Sequence, residues 1–562
     1  MKSLLLILSV LLFFCFSLKA EDRVYERVYV HTDKDCYIAG EDILLKFYVI
    51  NTDFLPSNLS KVGYVEICST EKPWIQLKVA LEKGSGSGKI KIPTDIPSGM
   101  YRLSGYTRYM RNEGENAFFN KQIAIVNVEE QIPDSARFES VENYGDLQSP
   151  EKRPAEEKES INPVIKTDQS GYNNRSKVLL FLDDIPNNTA DLVVSVSRND
   201  SIVKVMETDD REWLNQVKDT FNFSRQWLPE YEGHIISGHF VPETNQEQLL
   251  SSIAFVGNNI RYFNGKGNTQ DGTIDFYTAG IFGKQQIVTS AISQTYNNVP
   301  YRVDLLSPFC ESLPNSLPVL QIYPNEKQLM ERYIGVQIRE KMENDSVNNS
   351  IQPPPYNTFL PYVSYDLDQY TRFSTLSETI FEFIYQARVS KVGNSRVIRV
   401  LMNDGFSQGS TLALLDGIPV YNHEDILNYN PMYIKKIDIY NEHFLFCGNN
   451  FENIVSFTTH EGNLPFFQLS SGSQLFDYDC PQLPSPFENP DYSIDRVRNS
   501  KKPDFRHTLY WNPSVEHTNG QPVNLSFYTS DLCGEFKVTV EGITTDGKMI
   551  HGASRFQVVA TQ

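Results

Sequence analysis

Cysteine is scarce, seven among 562 residues, and no Cys-x-x-Cys occurs, so a zinc ribbon or a thioredoxin-like centre has no support. Removing Cys15 with the N-terminal segment leaves Cys36, Cys68, Cys310, Cys447, Cys480 and Cys533, too thin a scatter for a disulfide scaffold. Cys36 and Cys68 fall in one expected domain, where a disulfide and two buried thiols both fit. Positive charge is also short: 51 Lys+Arg stand against 70 Asp+Glu. The net charge of -19 repels phosphate backbones and anionic lipid heads, which argues against a nucleic-acid partner. No apolar run after residue 20 reaches a membrane-spanning length. Neither a His-Glu-x-x-His nor a Gly-x-Ser-x-Gly elbow is found, which removes the usual signatures of a zinc peptidase and of an α/β-hydrolase.

What is present is apolar bulk. Hydrophobic residues make up 40% and aromatics 12%, with 34 Phe and 30 Tyr, too much for a disordered chain. At roughly 150 residues per domain, the length predicts about three to five compact units. Residues 1–20 read as an export signal. Lys2 supplies the positive start, Leu4 to Phe16 the apolar run, and Ala20 the small residue before cleavage. That run would be roughly 20 Å long as a helix, against roughly 30 Å for a bilayer core, too short for a permanent anchor.

From 21 to 130, short apolar or alternating runs broken by turn residues predict about seven strands and a β-sandwich. Residues 131–165 carry eight acidic and four basic side chains, several prolines and few large aliphatics, the composition of a linker. Strands resume over 166–305 and predict one or two further sandwiches. A connector follows at 306–365. Asn325 and Gln328 resemble a capping box, apolar steps of three and four predict a helix to about 344, and an Asn- and Pro-rich stretch ends it. From 366 to 465 the pattern is mixed. Thr375-x-x-Glu378 is a capping box, and Ile380, Phe383, Ile384 and Ala387 share one helix face. The stretch 466–562 is expected to form a C-terminal sandwich with a Thr-Asp-Gly turn at 545–547.

Thr32-Asp33-Lys34-Asp35-Cys36-Tyr37-Ile38-Ala39-Gly40-Glu41 resembles the opening of the second macroglobulin-type domain of the alpha-2-macroglobulin family, with Ala39 where the family has proline. Pro97-Ser98-Gly99-Met100-Tyr101-Arg102 resembles a later strand of the same domain. The resemblance implies macroglobulin- or immunoglobulin-like sandwiches and a protease trap. Covalent trapping needs a Cys-Gly-Glu-Gln thioester, and no cysteine here has Gln three residues on. Cys480-Pro481-Gln482-Leu483 comes nearest. A second resemblance covers 366–465. Leu414 to Val420, Asn430-Pro431, Ile434 to Ile439, Cys447-Gly448 and Ile454 to Thr459 resemble the plug domain of TonB-dependent outer-membrane receptors, although Asn453 stands where the family has glycine. A receptor barrel needs about 22 strands of roughly ten residues. Only 97 residues follow position 465, so this chain alone is no transporter.

The remaining chemical signals have plainer readings. His234 and His239, five apart on a strand, point to opposite faces and do not converge on a metal. His423-Glu424-Asp425 at a helix start read as capping groups in water. Gly84 to Gly88 lie between strands with no helix after them, so they read as a hairpin loop and not a phosphate cradle. Asn268 to Asp275 lack the ligand spacing of a calcium loop and read as a turn on Asp271-Gly272. Tyr356, Tyr362, Tyr365, Tyr370 and Phe373 fit half-buried tyrosines between domains, with a contact surface as the alternative.

The expectation is a mainly β, multi-domain chain of macroglobulin- or immunoglobulin-like sandwiches with a small α+β plug-like domain. It is expected to be non-enzymatic, with no catalytic, cofactor or metal residues and no cofactor. Its place is the periplasm or outer membrane of a two-membrane bacterium, with partners among envelope proteins, a receptor barrel or a protease. Thioester-free endopeptidase inhibition is the alternative.

Overall fold

The computed structural model describes residues 24–130, 137–138, 161–199, 202–203, 217, 221–242, 249–267, 272–293, 301–322, 325–343, 360–403, 405–517 and 521–560. The expected export signal, most of the 131–165 linker, Asn268 to Asp271 and Tyr356 lie outside them. The chain divides into two compact units. One holds residues 1–229, 311–349 and 484–562, the other 230–310 and 350–483.

In the first unit, strands β1 (Glu26–Thr32), β2 (Cys36–Ile38), β3 (Asp42–Asn51), β4 (Val62–Cys68), β5 (Pro73–Ala80), β6 (Ser85–Lys91), β7 (Gly99–Thr107) and β8 (Phe119–Val126) form a sandwich. One sheet has the order β1-β3-β6 and the other β2-β8-β7-β4-β5. Alternation along β3 sends Ile43, Leu45, Phe47 and Val49 into the core. Phe47 is accommodated by Gly63, where a Cβ would lie 2.6 Å from the ring. Cys36 on β2 and Cys68 on β4 are three strand spacings apart, about 14 Å at ~4.8 Å each, beyond disulfide reach. They form no disulfide with each other.

A second sandwich repeats this plan strand for strand. Its three-stranded sheet joins Val164–Thr167, Lys177–Asp183 and Val523–Tyr528. Its five-stranded sheet runs Gly171–Asn173, Met549–Val559, Gly534–Thr544, Thr189–Arg198, Thr508–Asn512. The fourth and fifth strands of this repeat are Thr189–Arg198 and Thr508–Asn512, so residues 199–507 are an insertion between them. Leu192, Val194 and Val196 meet Phe536, Val538, Val540 and Phe556 in one core.

This corrects three expectations. Residues 166–305 do not form sandwiches among themselves, because the strands up to Arg198 need the C-terminal strands to bury their apolar face. Residues 466–562 are not a sandwich of their own. The last part of the expected linker already belongs to the second sandwich, where Ile161 bridges Ile550 and Val164 opens a strand. The Gly84 to Gly88 stretch is likewise not a loop: Ser85–Lys91 is strand β6, hydrogen-bonded to β3, and only the turn at Lys83-Gly84 has positive φ.

Helix α1 (Glu326–Glu343) belongs to this unit. Asn325 caps it, accepting from the Gln328 amide at 3.2 Å. Its Arg332 is fully buried and held by Glu41 through both carboxylate oxygens and by the Cys36 carbonyl at 2.9 Å.

The second unit is built mainly on two larger sheets. A seven-stranded one runs Arg302–Leu305, Ile235–Val241, Ile274–Tyr277, Tyr262–Gly267, Leu249–Phe255, Lys284–Ser293, Ser473–Asp479. A five-stranded mixed sheet runs Val363–Asp366, Ile434–Tyr440, Asn453–Thr459, Thr411–Leu415, Ile418–Val420. Thr411–Leu415 lies parallel to Asn453–Thr459, and the other neighbours are antiparallel. The tight Asp416-Gly417 turn takes positive φ at both residues, 46° and 79°, the geometry of a two-residue hairpin. Buried Asp416 accepts from the amides of Thr459 (2.7 Å) and Leu464 (2.8 Å), tying that turn to the neighbouring strand.

Helix α2 (Leu376–Phe383) has the full Thr375/Glu378 capping box and buries Leu376 and Ile380 against this sheet. It stops at Phe383; Ala387 instead opens the hairpin Ala387–Val392/Ser395–Met402. Helix α3 (His423–Leu427) is capped by Asn422 and adds Ile426 and Leu427 to the same core.

Candidate functional site

The Asp33–Glu41 motif does structural work. Tyr37 donates to the Asp33 carboxylate (2.8 Å) and accepts from the Lys34 amide (3.1 Å), and the same carboxylate oxygen accepts from the Leu44 amide (3.1 Å). The second sandwich repeats this. Tyr172 donates to Asp168 (2.7 Å) and accepts from the Gln169 amide (2.9 Å), and Leu179 donates to Asp168 (2.8 Å). The turn that follows needs positive φ in both copies, supplied by Gly40 (85°) and by Arg175 (54°). A non-glycine residue is held there by a two-point ion pair between Arg175 and Asp531, each contact 2.7 Å.

Around the first copy lies a buried ionic cluster. Arg332 and Lys34 hold the Glu41 carboxyl well below the usual range against the opposing pull of burial. His507, beside them, is kept neutral: burial and the Arg332 charge push its pKa well down. A neighbouring cluster joins His31 to Glu541 at 2.8 Å, with the His31 ring stacked on Trp511.

None of the histidines singled out by sequence assembles a reactive centre. His234 is buried between Glu230 (2.8 Å) and the Tyr478 hydroxyl (2.7 Å), while His239 lies on the following strand. His423 is not a capping group in water. Its Nδ1 accepts from the Ile398 amide (2.9 Å), which leaves the proton on Nε2, directed to the Thr411 carbonyl (3.0 Å). Burial lowers its pKa, so it stays neutral. Glu424 instead pairs with Arg396 at 2.6 Å. Among the described residues no group of three or more His, Cys, Asp or Glu could hold a metal ion.

The nearest approach to the thioester tetrad is Cys533-Gly534-Glu535-Phe536, not the stretch at Cys480. The fourth position is Phe536, fully buried in the sandwich core, so the tetrad itself offers no carboxamide for a thioester. Cys533 contacts the Asn174 side chain at 3.8 Å, and Glu535 is bonded to Asn199.

The mixed-sheet module of the second unit exposes several large apolar side chains. Leu360 (87% exposed), Phe381 (85%), Tyr385 (78%) and Phe466 (86%) stand in water. Two loops bring aromatics to one place. Arg372 donates to the Pro431 carbonyl (2.9 Å) and holds the 368–373 loop against residues 431–434. On one side Tyr370 stacks on Phe383 with centroids 4.5 Å apart, and Phe373 adds a second contact at 5.9 Å. On the other, Tyr433 meets Phe466 at 5.3 Å. Of the tyrosines singled out by sequence, Tyr365 is buried and bonded to Gln386, Tyr370 joins the ladder, and Tyr362 is exposed. Phe381, Tyr385 and Phe466 were missed, although Phe381 falls off the apolar stripe of α2, a signal in itself. Exposed apolar side chains of this size, where they adjoin, mark contact surfaces.

The architecture is thus mainly β and built of several sandwich-type domains. No family model matches the chain, and no curated protein matches it in sequence. Among solved structures it is similar to trypsin-activated alpha-2-macroglobulin from Escherichia coli (8% identity, 96% of this chain and 42% of that one, TM-score 0.23). Others are a Salmonella alpha-2-macroglobulin reacted with methylamine (8%, 96% and 40%, 0.24) and dimeric latent PorU from Porphyromonas gingivalis (9%, 95% and 34%, 0.14). The chain spans about two fifths of the length of those macroglobulins. Similarity this low leaves function to be argued from the chain's own residues.

Proposed function

We propose that this is an exported, non-enzymatic protein of the bacterial envelope, in which macroglobulin-like sandwiches carry a plug-like module that binds another envelope protein. The observation that carries the reading is the exposure of three large side chains on one module, Phe381, Tyr385 and Phe466, each more than three-quarters in water. The duplicated Asp–Tyr geometry of the two sandwiches supports the macroglobulin-like part. The capped helix α2, the Asp416-Gly417 hairpin and the mixed sheet support the plug-like part. The outer-membrane side of the periplasm, with a receptor barrel or a protease as partner, fits the two resemblances together.

Cross-linking of the mature protein in its own envelope tests this. The wild type should capture a specific protein, and the F381S/Y385S/F466S variant should lose it while keeping the wild-type circular dichroism. Repeated failure to capture, or capture unchanged in the variant, would count against the reading. Thioester-free protease inhibition rests on the Asp33–Glu41 resemblance. It would be favoured over the first reading if the protein slowed cleavage of a large substrate but not of a small peptide.

A further inference from the structure

A strap lies against the first sandwich without joining its sheets. Residues 221–229 contain neither helix nor strand, and after Pro229 the chain leaves the first unit. Phe221, Phe223 and Trp227 are half-buried, whereas Asn222, Ser224, Arg225 and Gln226 are exposed. The three rings are seated on side chains from two places, Tyr25 and Arg27 at the start of β1 and the 108–113 turn that follows β7. Phe223 meets Tyr25 and Tyr109 edge-on, with centroids 6.1 and 5.3 Å apart. The Arg27 guanidinium lies 6.0 Å from the Phe221 ring, and those of Arg111 and Arg108 lie 3.7 and 5.3 Å from Trp227.

The frame of this site is internal to the sandwich. Arg27 and Glu113, both buried, pair through two contacts of 2.8 and 2.9 Å. Asn112 is buried as well, and its Nδ2 donates to the Tyr109 carbonyl at 2.9 Å. The rest of its capacity is spent on the strap. Nδ2 also donates to the Trp227 carbonyl (2.7 Å), and Oδ1 accepts from the Trp227 amide (2.8 Å) and the Ser224 hydroxyl (3.1 Å). The Asn112 backbone carbonyl accepts from the Ser224 amide at 2.8 Å. A buried carboxamide that addresses main-chain groups, flanked by arginines that address ring faces, suits an aromatic stretch of polypeptide. No ladder hydrogen bond holds the strap, and its rings keep part of their surface in water, which places it among the elements that open at low cost.

We propose that this surface is a recognition site for an aromatic polypeptide segment, two phenylalanines separated by one residue and a tryptophan four residues further on, and that Phe221 to Trp227 occupy it as an internal pseudo-ligand. A partner carrying that pattern binds by displacing the strap. The site is separate from Phe381, Tyr385 and Phe466 and does not rest on their role.

The test uses the mature full chain, its strap variant Phe221→Ser/Phe223→Ser/Trp227→Ser, and a fluorescein-labelled peptide of residues 221–229. In fluorescence anisotropy the peptide should bind the strap variant, and the wild type at least ~tenfold more weakly, because the tethered strap competes at roughly millimolar effective concentration. The same peptide with its three aromatics changed to alanine should not bind. Adding Asn112→Ala to the strap variant should weaken binding at least ~tenfold, and adding Arg111→Ala about twofold to fivefold. No binding to a strap variant that keeps the wild-type circular dichroism, equal binding to the wild type, or binding untouched by both Asn112→Ala and Arg111→Ala would overturn the proposal. So would a strap variant that no longer folds, since the strap would then be a part of the sandwich and not a guest on it.

Discussion

Arg332→Met isolates the contribution of one buried ion pair. The Arg332 side chain is 0% and the Glu41 side chain 4% exposed. The guanidinium engages both oxygens of Glu41 and the Cys36 carbonyl. Removing it leaves a buried carboxylate with the Lys34 ammonium at 3.3 Å and the Ile38 amide at 3.1 Å. Breaking one side of such a pair costs about 3–5 kcal/mol, because the remaining charge stays desolvated. The tryptophans among the described residues, Trp74, Trp227 and Trp511, all belong to the first unit, so tryptophan fluorescence in urea reports on that unit. With a slope of ~3 kcal/mol/M, the midpoint should fall by about 1–2 M. The double variant Glu41→Gln/Arg332→Met should recover part of the loss, since the orphaned charge is gone. A midpoint shift below ~0.3 M in the single variant, or a double variant as unstable as the sum of the singles, would refute the assignment of this pair as a clamp on α1.

Acidification should destabilise the same unit in two stages. His507 has a folded-state pKa well below its ordinary value, so the unfolded chain takes up the proton first and stability falls as pH drops below about 6.5, by up to ~1.4 kcal/mol per pH unit. Glu41 and Glu541 are both held well below their ordinary range and add a further loss below about pH 4.5. Midpoints measured from pH 7 to 5 should flatten in His507→Gln. The duplicated tyrosines should respond unequally. Tyr37→Phe removes a donor from buried Asp33 and should cost about 1–3 kcal/mol, whereas Asp168 is exposed, water replaces Tyr172, and Tyr172→Phe should cost under ~1 kcal/mol. Equal losses in the same urea assay would contradict that comparison.

The local grammar of the chain was legible where it is local. The Thr375/Glu378 box, the Asn325 cap and the strands from 24 to 126 follow from turn chemistry and from alternation. Two things were not. The Thr-Asp-x-x-x-Tyr pattern occurs at 32–37 and again at 167–172, yet the second copy has Arg175 where the first has Gly40, so the turn that marks the first copy is disguised. The strands that complete the second sandwich come from the far end of the chain, and no local period reports pairing between Thr189–Arg198 and Gly534–Thr544. The candidate contact face was half legible. The tyrosines at 362 to 370 drew notice by composition, whereas Phe381 and Phe466 are defined only by the residues that fail to cover them.

The insertion explains how so non-local a sandwich can close. Loop closure costs only about 0.6 kcal/mol for each doubling of length, so a long excursion is tolerable if its two ends meet. They do: the Arg198 amide donates to the His507 carbonyl at 2.9 Å, so the chain leaves and returns at one rung of the ladder. Joining Arg198 to His507 through Asn-Gly should therefore give a hairpin in the native register, since two-residue turns suit adjacent antiparallel strands. Glu41 must be changed to Gln in the same chain, because Arg332 is removed with the insertion. The shortened protein should stay soluble and unfold in a single step, with Trp511 still quenched by the stacked His31 ring. A shortened chain without cooperative unfolding would mean that residues 199–506 help to build the second sandwich and are not merely a guest within it.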